Sequence, residues 1–345
     1  MASSSRNATH HFEVPLQYWY KAKLFRFCAI QIGRTLQLNN VLELPKALTN
    51  TRILVDRQLM LWPDHIGFLT KSFSERSPES LAVTEVTATQ VANIVGDQFE
   101  ECCAGYRWMC DAVLAEELFF RRHGRYRATS FEDVFTDIYG APQTMKLYMD
   151  GLLLSQVFWR NHADVLCFYK KYINSLPGGT SHLEVGPGHG LLLAHAALNN
   201  NCSDITAWDI SSASLSATRK CLDEMKIVRP ITLEQRNIYE LDGALKTYDS
   251  IVVSEVLEHL EDPVGALHGV KKILSSDGHA FINIPCNSPA PDHLFLYSKP
   301  EDFFEQLEVA GLTIRERFIT PSTGSTIERA LKSKLAISCA AVVSH

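Results

Sequence analysis

No pair of cysteines stands at Cys-x-x-Cys spacing and no Cys/His cluster repeats a zinc-site pattern, so no metal is expected. The nine cysteines are scattered singly apart from Cys102-Cys103, which fits free thiols in a reducing cytoplasm. Cys102, Cys103 and Cys110 fall on a helix-like stretch and read as packing residues. No apolar run nears the roughly 18 residues of a membrane span. Met1-Ala-Ser-Ser-Ser-Arg6 lacks the basic-then-apolar build of a signal peptide, so a cytoplasmic protein without membrane contact is expected. Long basic runs are missing too. Arg and Lys gather only in short stretches such as 121–127, and the formal charge is −6, which argues against nucleic acid as a partner.

What the chain has is apolar bulk. Of its 345 residues 46% are hydrophobic, enough for one large domain or two of moderate size. From about residue 84 to 170 apolar residues recur at helical steps, as in Val91, Ile94, Val95, Phe99 and Cys102. Arg121-Arg122-His123-Gly124 reads as a helix end, cations first and then glycine. A second long helix is expected from Pro142 to Tyr172. Residues 14–75 read as helices with turns at Leu44-Pro45 and Trp62-Pro63, and Ser72–Ser80 as a polar loop.

After Pro177-Gly178-Gly179 short apolar runs alternate with helical segments. The expected strands are Ser181–Val185, Asp204–Ile210, Ile231–Arg236, Asp249–Val253, His279–Ile284, Thr313–Ile319 and Ala336–Val343. That alternation implies a parallel sheet covered on both faces. The last two runs lack a clear crossover helix between them, so an antiparallel final strand is expected.

The chemistry concentrates at strand ends. Glu184-Val-Gly-Pro-Gly-His-Gly190 joins the first strand to a helix through glycines that let the backbone turn sharply against a ligand. A dinucleotide loop wants G-x-G-x-x-G with its pyrophosphate on the helix N-terminus. Here the third glycine comes one residue early, and an acid stands where a pyrophosphate would be repelled. Glu184 suits the ammonium of a methionine moiety, which favours S-adenosylmethionine (SAM) over a nicotinamide dinucleotide. Asp209 ends the next strand, where a carboxylate can take both ribose hydroxyls; capping the helix at Ser211-Ser212 is its other reading. Asn237 ends the third strand, within reach of an adenine amino group, or is a plain loop residue. Tyr248–Ser254 then runs into the acid-rich turn Glu255-Val-Leu-Glu-His-Leu-Glu-Asp-Pro263.

Together Glu184–Gly190, Asp209 and Glu255–Pro263 resemble the ordered motifs of class I SAM-dependent methyltransferases, over about residues 165–345. The resemblance implies an α/β fold, a Rossmann-like seven-stranded sheet with strand seven antiparallel. The domains expected are a mainly helical 1–165, covering the substrate and forming a homodimer, and a SAM-binding 166–345. It implies Glu184 at the methionine end, Gly186, Gly188 and Gly190 under the cofactor, and Asp209 on the ribose. Ile210, Asn237, Ile238 and Ser254 complete the expected cofactor site.

The helical half resembles that of small-molecule O-methyltransferases by layout. Their catalytic His follows strand four in a Leu-His-Asp-Trp sequence; here Leu257-Glu258-His259-Leu260 puts Glu258 in that place and His259 one step on. Oxygen methylation needs a base or metal, whereas a thioether sulfur has no proton to lose and needs only in-line positioning. Tyr148, Glu258, His259 and His162 are the catalytic candidates. Tyr139, Gln156, Trp159 and Arg160 are the substrate candidates, with Arg160 on a carboxylate. Residues 116–127 and 149–156 are similar to the methylthiohydroxybutyrate S-methyltransferases of dimethylsulfoniopropionate synthesis, implying 4-methylthio-2-hydroxybutyrate as acceptor. O- or N-methylation of a small aromatic or amine, and a catalytically silent SAM-fold binding protein, stay open.

Overall fold

A strand whose residues are buried on both faces needs two cores, and alternate side chains of this sheet feed two. Val252, Phe281, Ala340 and Val342 join one apolar cluster, while their neighbours Ile251, Val253, Ala280, Ile282, Ala341 and Val343 join another. The structure is a computed structural model and describes residues 42–243 and 246–345; the expected elements before residue 42 lie outside it. Leu42–His345 forms one compact unit.

Seven strands, β1 (Thr180–Val185), β2 (Cys202–Asp209), β3 (Ile231–Gln235), β4 (Tyr248–Ser254), β5 (Leu274–Cys286), β6 (Thr313–Pro321) and β7 (Ile337–Ser344), line up in the order β3-β2-β1-β4-β5-β7-β6. The first five pair in parallel, and β7 runs antiparallel between β5 and β6. A short helix, Ile327–Ser333, occupies the link read from sequence as irregular. Because β1, β2, β3, β4 and β5 run the same way, their carboxyl ends share one rim. The residues that follow them must gather there.

The N-terminal helices share an apolar cluster with one face of the sheet, and the last of them packs on β6 and β7: α1 (Thr49–Leu61), α2 (Ile66–Ser74), α3 (Pro78–Val95), α4 (Phe99–His123), the short Phe131–Val134 turn running on into a π-turn at Phe135–Tyr139, α5 (Pro142–Phe158) and α6 (Arg160–Ser175). Cys102 and Cys103 are buried among them. Gly124 ends α4 with a left-handed φ of 68°, as its sequence context predicts. Gly105 and Gly151 let α4 and α5 close on each other; an added Cβ would come within 2.9 Å of Leu147 O and 2.7 Å of Met109 Cβ respectively.

Two expectations fail here for one reason. The single helix expected over 142–172 is broken at Trp159, whose backbone is extended (φ −96°, ψ 128°). Ser72–Ser80, expected as a loop, is instead the end of α2, three connecting residues and the start of α3, with Ser77 accepting from the Ser80 N–H. Arg76 in that connection is buried and donates to Val157 O at 2.8 Å and to Thr84 Oγ1 at 2.6 Å, and Ser72 Oγ donates to Phe158 O at 2.7 Å. These donors satisfy the carbonyls that the broken helix frees. No Pro or Gly marks the break, because its cause lies far away in the chain. Desolvation draws the Arg76 pKa down to about 9, opposed by the nearby Asp164 carboxylate; the guanidinium remains charged at neutral pH.

Helix α1 has no side-chain cap of its own. Glu85 of α3 supplies one across the bundle, accepting from Asn50 N at 2.8 Å, Thr51 N at 3.0 Å and Thr51 Oγ1 at 2.7 Å. Burial pushes its carboxyl up, but the Thr51 and Asn50 hydrogen bonds outweigh that and hold it below the ordinary glutamate value. Such a group contributes fully above the unfolded pKa and loses its contribution as pH falls through the lower folded value. Glu85→Gln should therefore cost about 1 kcal/mol in urea unfolding at pH 7, a cap-sized loss limited by solvent screening. The gap should shrink as the pH falls below about 4. An equal gap at pH 7 and pH 3 would contradict the capping role.

Candidate active site

At the shared rim, between strand ends and helical cover, lies a cavity of about 410 Å³. Helix α5 presents Met145, Tyr148, Met149, Leu152 and Gln156 to it, one face of a helix by their spacing. Met109 and Val113 of α4 and Trp159 extend this largely apolar wall.

The β1 end forms one pole. Glu184 is buried, and its Oε2 has no hydrogen-bond partner among the described residues. Desolvation pushes its carboxyl well above the usual range. An unpaired buried acid is costly unless something cationic reaches it. The turn that follows carries Gly186, Gly188 and Gly190, all at positive φ. A Cβ on Gly186 would meet Val256 Cγ2 at 2.6 Å, and one on Gly190 would meet the Thr218 Cα at 2.9 Å, whereas one on Gly188 would find only Met149 Sδ at 3.9 Å. Gly188 thus keeps the cavity floor open, while Gly190 seats the loop on helix α7 (Ser212–Glu224) and does not line the cavity.

Asp209 lines the cavity and also serves α7. Its carboxylate accepts from Ser211 N at 2.8 Å and from Ser214 Oγ. Ser211 is the helix cap, accepting from Ser214 N. Asp209 thus braces the cap without being it, and a carboxylate has lone pairs left for a ligand. Desolvation raises its pKa against the lowering pull of the Ser214 and Ser211 hydrogen bonds. Ile210, Asn237, Ile238 and Ser254 line the same pole. Asn237 Oδ1 accepts from Tyr239 N at 3.0 Å, and the Trp208 indole N–H, also in the lining, has no partner among the described residues.

The end of β4, the strand beside β1, forms a second pole that sequence reading caught only in part. The β4 end turns at Glu255, with φ of 54°, and its Oε1 accepts from Asn283 Nδ2 at 2.6 Å. Glu258 is wholly buried with both carboxylate oxygens unpartnered; desolvation and the neighbouring Glu255 push it upward. Asp292, from the loop after β5, accepts from Tyr148 Oη at 2.8 Å and Tyr139 Oη at 3.0 Å. Its carbonyl meets His259 Nδ1 at 3.0 Å. His293 lies against His259 with ring centroids 4.9 Å apart, its Nδ1 on the Ser288 carbonyl. Ligand atoms of Glu258, His259 and His293 fall within 4.8 Å of one another. Tyr139 and Tyr148 are kept protonated by desolvation and by Asp292, and so act as donors. His162 Nδ1 meets Ser155 Oγ at 2.9 Å and Gln156 Nε2 at 3.3 Å, and burial draws its pKa down to about 3.

One substrate candidate falls elsewhere. Arg160 does not line the cavity; it pairs with Glu75 at 3.0 Å and Asp164 at 3.3 Å. Tyr139, Tyr148, Gln156, Trp159, His162, Glu258 and His259 all do line it. Asp292, His293, Glu255 and Asn283 were missed from sequence. The signal was available: β5 points its carboxyl end at the same rim, so the polar stretch 287–293 had to land there.

Residues 183–280 match the family model described as "Methyltransferase domain". The ubiquinone biosynthesis O-methyltransferase of Alkalilimnicola ehrlichii is 30% identical over 145 residues, 42% of this chain and 56% of that protein. The Photobacterium profundum protein of the same name is 27% identical over 148 residues, 42% and 59% respectively. The chain thus spans less than two thirds of the length of these relatives. Among solved structures, the N-methyltransferase NodS from Bradyrhizobium japonicum, in complex with S-adenosyl-L-homocysteine, superposes with a TM-score of 0.45 at 17% identity, covering 58% of this chain and 96% of that one. Among the described residues no helix is long and apolar enough to cross a membrane.

The unequal surroundings of the glycines give a test. An alanine at left-handed φ costs about 1–2 kcal/mol, and Gly190→Ala adds a backbone collision to that. Thermal unfolding should show Gly190→Ala clearly less stable than Gly188→Ala. Equal losses would mean that the Gly190 contact with Thr218 is not tight.

Proposed function

We propose that this protein transfers a methyl group from SAM to the hydroxyl oxygen of a small, largely apolar acceptor. The observation that carries the reading is the pairing of two poles on one cavity: the Glu184–Asp209 edge and the Glu258–His259–Asp292–His293 cluster.

The first pole fits the cofactor. The unpartnered Glu184 oxygen suits an α-ammonium, the open floor at Gly188 admits a ligand against the backbone, and Asp209 keeps acceptor capacity for a ribose diol. Ile210, Asn237, Ile238 and Ser254 would border the nucleoside. When bound, SAM supplies an electrophilic methyl group. The chain's own part is to hold the acceptor in line with it and to exclude water.

The second pole favours an oxygen acceptor. An oxygen nucleophile must lose a proton, and buried carboxylates with imidazoles are the groups that assist this. A thioether needs none of them. The carboxylate of 4-methylthio-2-hydroxybutyrate would also lack the anchor expected of Arg160, which is engaged by Glu75 and Asp164 outside the cavity. Methionines and aromatics of the helical wall suit a flat apolar body, with Tyr139 and Tyr148 set by Asp292 beside it. The related proteins named above as O-methyltransferases point the same way. Helices α4 and α5 are, in this reading, the substrate cover.

Incubation with methyl-labelled SAM and a panel of phenols, catechols and methylthiohydroxybutyrate should label the hydroxyl compounds. Label on the thioether alone would overturn the reading. For the cofactor pole, Glu184→Gln should weaken S-adenosylhomocysteine binding in calorimetry about tenfold or more, the loss of a charge-assisted hydrogen bond. Methylthioadenosine, which lacks the amino-acid tail, should bind both proteins alike. Equal losses for the two ligands would place the tail elsewhere.

A further inference from the structure

We propose that Glu258, His259 and His293 bind one divalent first-row transition-metal cation, which holds and acidifies the acceptor hydroxyl. This rests on the O-methylation reading for its role, though not for its existence.

Three observations carry it. Glu258 is wholly buried and neither of its carboxylate oxygens has a hydrogen-bond partner among the described residues. Such a group is expensive to keep ionised unless a cation reaches it. Next, the two imidazoles are set in the same way. His259 Nδ1 lies 3.0 Å from the Asp292 carbonyl, and His293 Nδ1 lies against the Ser288 carbonyl. A carbonyl only accepts, so each Nδ1 carries the proton and each Nε2 keeps its lone pair. A ring nitrogen tied to a backbone carbonyl is how metal-binding histidines are oriented. His259 Nε2 indeed faces Glu258, 3.8 Å from Oε1. Finally, ligand atoms of all three residues fall within 4.8 Å of one another, and all three line the cavity.

Two imidazoles and a carboxylate make three protein ligands, which leaves a position open toward the cavity, as catalytic sites require. A hydroxyl oxygen entering that position is polarised and its pKa falls; the proton it gives up passes to solvent. Asp292 is not counted as a ligand, because Tyr139 and Tyr148 already occupy its oxygens. It acts as a positioning residue through the His259 ring. The donors suit Mn²⁺, Co²⁺ or Zn²⁺ better than Ca²⁺. The absence of any local zinc-site spacing does not count against the site, since His293 reaches His259 across β5.

The probe is Mn²⁺ alone, added to the full chain after chelator treatment, with free ion followed by electron paramagnetic resonance; Mn²⁺ also avoids the eight cysteine thiols that are free among the described residues. One Mn²⁺ per chain should bind. Glu258→Gln and His293→Ala should each weaken it at least tenfold while keeping affinity for S-adenosylhomocysteine. Should His293→Ala fail to fold, the isosteric Glu258→Gln carries the test. No stoichiometric uptake, or uptake unchanged in the variants, would overturn the site. Hydroxyl methylation that proceeds equally with and without chelator would overturn its role while leaving the O-methylation reading intact. Mn²⁺ bound at these residues without hydroxyl methylation on any acceptor would support the site and end that reading instead.

Discussion

Two buried carboxylates, Glu184 with one unpartnered oxygen and Glu258 with two among the described residues, face one cavity, and the rest of the molecule is arranged around that electrostatic debt. Glu184 lies within β1, and Glu258 lies in the turn after β4, where its backbone carbonyl accepts from Leu294 N and Phe295 N. Each is held in a medium that disfavours its charge. A protein keeps such groups when a ligand supplies the missing countercharge. The sheet provides direction: its first five strands share one polarity, and their turns deliver acids, amide and imidazoles to one rim.

The helical layer makes the rim into a cavity. It shares an apolar cluster with one face of the sheet, and its close approach at Gly105 and Gly151 sets Met109 and the α5 side chains over the strand ends. The break at Trp159 matters for the same reason. It redirects the chain so that α5 covers the cavity while α6 packs on the sheet, and Ser72 and Arg76 hold the break open. Asp292 ties cover to rim, since both tyrosines that reach it come from the helical segment.

The sheet was legible in the chain because parallel strands buried on both faces read as short apolar runs, and all seven expected runs lie on observed strands. The antiparallel last strand was legible for a topological reason, the lack of a long crossover before it. The helical half was less so. Periodicity located helical stretches, but the break at Trp159 and the short connection around Arg76 follow from tertiary hydrogen bonds, and Trp159 carries no local breaker. At the site, Glu184, Gly188 and Asp209 stood out because neighbours in sequence are neighbours in space there. Arg160 was misplaced because helix phase alone does not tell which face meets a partner acid; Glu75 comes from a distant turn. Asp292 and His293 escaped because their meaning depends on β5 ending beside β4.

The most direct test is a crystal structure with S-adenosylhomocysteine bound. The account predicts the ligand's ammonium on Glu184, its ribose at Asp209, and its sulfur facing the Glu258–His259 side of the cavity. A ligand whose tail points away, with Glu184 still lacking a partner, would contradict it.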